Sequence, residues 1–359
     1  MKNLLEYISL GTLSLLLTLI FIPIIKKLAV KLNLVDKPNY RKIHAVPVPL
    51  VGGIAIAFVV LITMIISGKR LAILMQYLPI LASGLTLLIV GVIDDKADLN
   101  AKYKFAIQLL LSFIIALSGT RITSLYGLLG IYEIALWMQY ALTILVIAGV
   151  VNAFNLMDGV DGLVGGLSLL GFTMFLIASI FYNDFLLGEL SVIFIGAIIG
   201  FLKFNLSKNK IFMGDSGSLF LGFVLVTLGI QFMEKEHVNQ DYNFAYGFLI
   251  LVAFFSIPVL DSIRVYIGRM KKGNSPFSPD KSHLHHLLLT AGLTHKKITL
   301  AIILLCMSLF FIGFGLVSFF STTLIIVSIM IVFWAIVKLI LMINKLHEWR
   351  EIIKELEHQ

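Results

Sequence analysis

Apolar residues in this chain fall in long blocks, and polar residues collect in the short segments between them. A helix needs about 17–25 predominantly apolar residues to cross a bilayer. On that rule the pattern predicts about eleven transmembrane helices, at approximately 4–25, 50–67, 77–93, 103–118, 136–153, 163–182, 189–205, 216–232, 244–267, 298–318 and 323–343. The stretch from Arg121 to Glu133 is shorter, alternates in part and carries Gly127 and Gly130, so it reads as a small hairpin between two spans. The expected class is all-α: a polytopic integral membrane protein with a single transmembrane domain over 1–343 and an amphipathic tail over 344–359. In that tail Leu346, Trp349, Ile352, Ile353 and Leu356 recur at helical spacing among charges, as in a helix lying on a membrane surface.

Composition strengthens this reading. Of 359 residues, 59% are hydrophobic and 13% charged, and the mean hydropathy is +1.00. A soluble domain is about half apolar and about a quarter charged. The first apolar run is too long for a cleavable signal peptide and leads into Lys26 and Lys27, so it reads as a retained span. The single cysteine, Cys306, sits inside an apolar run and excludes an intramolecular disulfide. A net charge of +8 does not imply a nucleic-acid partner, because the cations lie in the segments between spans. Their distribution predicts orientation instead. With the N-terminus outside, the outer segments hold Lys2, Lys69, Arg70, Arg121 and Lys235, five of the 28 Lys and Arg. Positive charge accumulates on the cytoplasmic side, so the N-terminus is expected outside and the C-terminus in the cytoplasm.

Candidate chemistry then collects on the cytoplasmic side. One loop runs from Val35 through Lys37, Pro38, Arg41, Lys42 and His44 to Gly53, kept out of a helix by proline and glycine. A second contains Asp94, Asp95 and Asp98, three carboxylates in five residues at the end of a span. A third holds Asn152, Asn155, Asp158, Gly159, Asp161 and Gly162. Its amides and carboxylates offer oxygen ligands to a hard cation, without the ligand spacing of an EF-hand. A fourth, Phe212-Met-Gly-Asp215-Ser-Gly-Ser218, enters a span directly. There Ser216, Ser218 and free backbone amides could bind phosphate, or the serines could simply cap the helix. The longest begins near Arg264 and holds Ser275-Pro-Phe-Ser-Pro-Asp-Lys-Ser-His283-Leu-His285-His286. Three histidines so close suit zinc or phosphate, but no cysteine lies nearby. Acids on the other side (Glu133, Asp184, Glu234, Glu236 and Asp241) lack such neighbours. Oxygen ligands favour Mg²⁺, with Mn²⁺ as an alternative, at a site for a phosphorylated substrate.

These motifs, in this order, resemble the polyprenyl-phosphate N-acetylhexosamine-1-phosphate transferases over approximately residues 33–297. The Arg-Lys-Ile-His and Ser-Pro-Phe-Ser-Pro segments are similar to the branch acting on UDP-N-acetylglucosamine rather than on phospho-MurNAc-pentapeptide. The resemblance implies Mg²⁺ held by Asp215 with Asn155 near the metal, and a uridine pocket lined by Asp161, Gly159 and Phe212. It implies phosphate contacts from Lys104, diphosphate contacts from His283, His285 and His286, and a sugar contact from Arg264. Asp94, supported by Asp95, is the candidate for deprotonating or positioning the acceptor; Asp158 joins the catalytic set and Asn152 the substrate-binding set. The implied reaction moves GlcNAc-1-phosphate from UDP-GlcNAc to undecaprenyl phosphate in a bacterial plasma membrane, the first membrane step of a surface polysaccharide. Direct attack is weighed against a covalent aspartyl-phosphate route. The same reaction with another UDP-N-acetylaminosugar or with phospho-MurNAc-pentapeptide is the first alternative. A transporter, whose charges belong near the bilayer midplane, is a weaker one. The resemblance alone admits a homodimer.

Overall fold

The computed structural model describes residues 2–36, 46–238, 245–275 and 282–357. The Lys37–His44 stretch, Asp241 and the Pro276–Lys281 tract lie outside the described residues. A long first helix, α1 (Lys2–Lys31), leads to a minimal antiparallel pair, β1 (Val35–Asp36) and β2 (Val48–Pro49). Then follow α2 (Gly52–Ile66), α3 (Arg70–Ala97) and α4 (Ala101–Leu117). A hairpin of β3 (Ser124–Leu128) and β4 (Ile131–Glu133) precedes α5 (Leu136–Leu156), α6 (Leu163–Phe181), α7 (Phe185–Asn205) and α8 (Gly214–Val238). The chain continues through α9 (Ala245–Lys271), the short α10 (Leu284–Thr290), α11 (His295–Leu316) and α12 (Thr322–Glu357).

Every expected span coincides with a helix. Among the described residues, nine of these helices (α1, α3, α5 to α9, α11 and α12) are long and apolar enough to cross a membrane. The protein is a multi-pass, all-α membrane protein. Of the other two expected spans, α2 has 15 residues and α4 has 17. At 1.5 Å per residue they reach only about 22–26 Å. Most of α2 is buried against protein, not free to face lipid. The expected tail is the continuation of α12, with no break at residue 344.

The chain divides into two compact units: Met1–Thr123 with Ala135–Val238, and Ser124–Ile134 with Asn239–Gln359. In the first, α8 is the most enclosed helix, packed by α2, α3, α5 and α6. Missing side chains make that packing close. A methyl group on Gly53 would collide with the backbone of Gly217, and one on Gly91 with the backbone of Ser216. Both contacts lie at the start of α8. The loop before α8 is also stitched to α2, since the Gly52 amide donates to the Phe212 carbonyl at 2.9 Å and the Gly53 amide to the Met213 carbonyl at 3.1 Å.

The second unit contains the expected hairpin. Tyr126 stacks on Phe248 of α9, and the Thr322 hydroxyl donates to the Tyr126 carbonyl at 2.7 Å.

At the other end of α3 from Asp94, acids are paired with lysines. Glu189, fully buried in α7, accepts from the Ser67 hydroxyl at 3.0 Å and pairs with Lys69, which also reaches Glu6 at 3.2 Å. Asp184 pairs with Lys235 at 2.7 Å. Burial of Glu189 is compensated by pairing, so this network needs no ligand to account for it.

Candidate active site

The first cluster is assembled where α3 and α5 end and α4 and α8 begin. Asp94 and Asp95, successive on α3, point about 100° apart around the helix axis and take different partners. Asp94 is buried; its Oδ1 accepts the Leu99 amide at 2.7 Å and its Oδ2 pairs with Lys104. Asp98, with φ +51°, ends α3 in a left-handed turn and is exposed, apart from the cluster. Asn100 then caps α4 by accepting the Lys102 amide at 3.0 Å, which starts the helix early enough to place Lys104 in its first turn. The Lys104 ammonium bridges Asp94 and Asp215, lying 3.0 Å from Asp215 Oδ2.

Asp95 serves the start of α8. Its two oxygens accept the backbone amides of Asp215 at 2.8 Å and Ser216 at 3.2 Å, while the Gly214 amide donates to Asp158. Gly214 adopts φ +77°, and a side chain there would strike the Asp95 carboxylate. These contacts occupy the amides that the sequence left free for phosphate. The amides at this helix end are taken by tethered carboxylates, which complement its partial positive charge. Ser216 is fully buried, and the Ser218 hydroxyl donates to Asn155 Oδ1 at 2.6 Å.

Asn152 and Asn155 stand three residues apart near the end of α5, hence on one face of it. Asn155 also hydrogen-bonds Asp215, and the carboxylates of Asp215 and Asp94 lie within hydrogen-bonding range of each other. Asp158 follows in the loop. Burial, with Asp215, Asp95 and Asp161 nearby, holds its carboxyl well above the usual carboxylate range. Lys104 thus pairs with two carboxylates, Asp94 and Asp215, while Asp95 and Asp158 lie near Asp215 without a cation of their own among these contacts. Negative charge in excess here fits a divalent cation, and the oxygens of Asp215 with its partner Asn155 and neighbour Asp158 are the donors available to it. Among the described residues no group of three or more His, Cys, Asp or Glu side chains is placed to hold a metal ion by itself. Mg²⁺ commonly binds through one or two carboxylates and completes its shell with water and substrate phosphates.

A neighbouring pair of loops carries the expected pocket residues. Lys210 reaches Asp161 Oδ2 at 2.8 Å and lies 4.9 Å over the Phe212 ring, while Gly159 is exposed beside them. The sequence reading missed the residue that holds these loops together. Asn205, buried at the end of α7, accepts the Gly162 amide at 2.6 Å and donates to the Ile211 carbonyl at 2.8 Å. An amide can do both at once, and the only signal for it in the sequence is a polar residue ending an apolar run.

The second cluster lies in the second unit and centres on another missed residue. Asp261, fully buried within α9, accepts from Arg264 at 2.7 Å, from His283 Nδ1 at 2.9 Å and from the Leu284 amide at 3.0 Å. Arg264 also donates to the Ser282 carbonyl. His283 faces His285 at 5.9 Å, and His285 faces His286 at 4.3 Å. His285 is buried with neither ring nitrogen partnered among the described residues, and burial together with the adjacent His286 and His283 pushes its pKa down to about 3. The structure therefore gathers the expected residues into two groups, the acids other than Asp98 with Lys104 in one and Arg264 with the histidines in the other.

Comparison with known proteins decides the affiliation. The model of the family described as Glycosyl transferase family 4 matches residues 77–233, from α3 through α8. A protein of Bacillus subtilis named a probable undecaprenyl-phosphate N-acetylglucosaminyl 1-phosphate transferase is 35% identical over 294 residues, covering 81% of this chain and 80% of that one. This chain belongs to glycosyl transferase family 4. Proteins of Yersinia pestis and Escherichia coli K12, both named undecaprenyl-phosphate alpha-N-acetylglucosaminyl 1-phosphate transferase, are 34% and 33% identical. Each match covers 81% of this chain, with 80% and 79% of the relatives' lengths. This family 4 protein is an enzyme of the undecaprenyl-phosphate sugar-1-phosphate transferase type. The matched segment contains Asp94, Asp95, Lys104, Asn155, Asp158, Asp161 and Asp215, so the family 4 match and the first cluster coincide.

Proposed function

We propose that this protein transfers N-acetylglucosamine-1-phosphate from UDP-GlcNAc to undecaprenyl phosphate, releasing UMP and leaving undecaprenyl-diphospho-GlcNAc in the membrane. The names of its relatives support this donor and acceptor. The observation that carries the reading is Lys104 set between Asp94 and Asp215, beside Asp158. Charge on the cytoplasmic segments supports eleven spans with the N-terminus outside and the site on the cytoplasmic face.

In this mechanism an oxygen of the acceptor phosphate forms a bond to the β-phosphorus of the donor. The bond from that phosphorus to the oxygen bridging to UMP breaks, and UMP departs with the electron pair. The sugar C1–O bond is untouched, so the anomeric configuration is retained. A phosphate monoester has a second pKa of about 6 and is mostly dianionic near neutrality, so attack needs no base. Asp94 accordingly acts by holding Lys104, whose ammonium offsets the repulsion between two polyanions. Asp215 and Asn155, with Asp158 beside them, would hold Mg²⁺. A bound Mg²⁺ would supply charge neutralisation at the phosphoryl oxygens. Asp161, Lys210 and Phe212 hold the nucleotide, and the histidine tract meets the diphosphate.

The test is UMP release by the purified protein given polyprenyl phosphate, Mg²⁺ and a panel of UDP-sugars. GlcNAc as the preferred donor is expected, with activity lost in EDTA and restored by Mg²⁺. Preference for another UDP-aminosugar would revise the substrate, and no UMP from any donor would sink the reading.

A further inference from the structure

A carboxylate inside an apolar helix is costly unless all its oxygens are occupied, and Asp261 meets that condition. Oδ1 takes Arg264 and the Leu284 amide, and Oδ2 takes His283 Nδ1 and the same amide at 3.1 Å. Nothing is left over to bind a ligand. On its other side the His283 ring offers Nε2 to Arg269, 3.4 Å away. A carboxylate only accepts and a guanidinium only donates. These two contacts match a His283 ring with its proton on Nδ1 and a lone pair on Nε2. Such a ring has no donor left for a phosphate oxygen. In that tautomer the diphosphate contact falls to His285 and His286.

We propose that Asp261 is a positioning residue: its carboxylate fixes the His283 ring and the start of α10 in the orientation from which His285 and His286 serve sugar-phosphate transfer. The inference rests on the transfer reaction proposed above, in which the histidine tract meets the diphosphate. The coupling runs through short contacts, since Asp261 holds His283 at one end of α10 and also its first amide, and His285 lies against the His283 ring.

The direct test is ¹⁵N NMR of histidine-labelled, detergent-solubilised full chain, with the His283 signals assigned by their loss in His283→Asn. The wild type is expected to show the Nδ1-protonated tautomer, and Asp261→Asn to lose it. In UMP release, Asp261→Asn should lower kcat about 10- to 100-fold, as loss of a partner that orients a functional histidine does, with the donor KM changed less than about twofold. Asp261→Glu should recover part of that rate. Losses in Asp261→Asn and His283→Asn should not multiply in the double variant. A purely structural carboxylate would instead lower the folded fraction and leave kcat per folded molecule unchanged. An Nε2-protonated His283 in the wild type overturns the proposal, as does Asp261→Asn retaining more than half the wild-type kcat. If Asp261→Asn does not fold, Asp261→Glu and His283→Asn carry the kinetic comparison. If the wild type releases no UMP from any UDP-aminosugar, the transfer reading fails and the tautomer measurement alone decides the placement of His283.

Discussion

Single residues here carry opposite electrostatic burdens, and pH separates them. Asp158 has its carboxyl held well above the usual range by burial and by the acids around it. A carboxyl whose folded pKa is raised stabilises the fold when protonated, and that contribution is lost as pH climbs from about 4 through the raised value. Metal-free protein should therefore melt at a lower temperature as pH rises through that window. Asp158→Asn should flatten the dependence and raise Tm at pH 7.5 by about 2–4 °C, while UMP release falls at least about tenfold. Calorimetry in EDTA alongside the assay checks both, and an unchanged pH slope in the variant would remove Asp158 from the account. His285 works the other way. Its pKa of about 3 lies below the value near 6.5 of a free imidazole, so its contribution to stability is present above about 6.5 and lost as pH falls toward 3. His285→Leu should resist acid unfolding better than the wild type, read as the midpoint of an acid titration by fluorescence. Asp94, Asp158 and Asp215 were legible because short polar motifs interrupt apolar runs. Asp261 and Asn205 were not, because each lies within or at the end of such a run, and its purpose depends on partners far along the chain.

Elements meet most tightly at the start of α8. Gly91 of α3 faces the Ser216 backbone with no space for a methyl group. Gly91→Ala should force the helices apart and cost about 1–3 kcal/mol by overpacking, with activity falling as Asp95 loses its hold on the Asp215 and Ser216 amides. Gly149→Ala on α5 is the matched control. Nothing lies within 4 Å of its added methyl, so it should be neutral or slightly stabilising. Thermal melts of both variants in one detergent decide this, and equal Tm values would contradict the close-packing account. At this scale the sequence was read best. All eleven apolar blocks are helices and the 121–133 segment is a hairpin. The short α2 is as apolar as the others yet mostly covered by protein: hydropathy registers apolar character without distinguishing lipid from protein as the thing that covers it.

For the molecule as a whole, sidedness is the property that charge counting predicts and geometry leaves to experiment. Cys306 is fully buried, so introduced thiols can be read against a low background. A thiol at exposed Ser207, near Lys210, should react with a membrane-impermeant maleimide only after cells are permeabilised, and one at exposed Gly68, beside Lys69, should react in intact cells. The reverse labelling would invert the orientation. The grip on the start of α8 has a further consequence, which concerns biogenesis. Asp95 arrives with α3 and Asp158 follows α5, and each lacks its partner amides until α8 has been synthesised. During translation these acids must wait at the membrane surface, hydrated or chaperoned, while more than fifty further residues emerge after Asp158. When α8 does enter, it has to slot between helices already seated in the bilayer. Assembly of the reaction centre is therefore a late event in the life of the nascent chain, and a pause or truncation before α8 would leave a membrane-inserted but inert precursor.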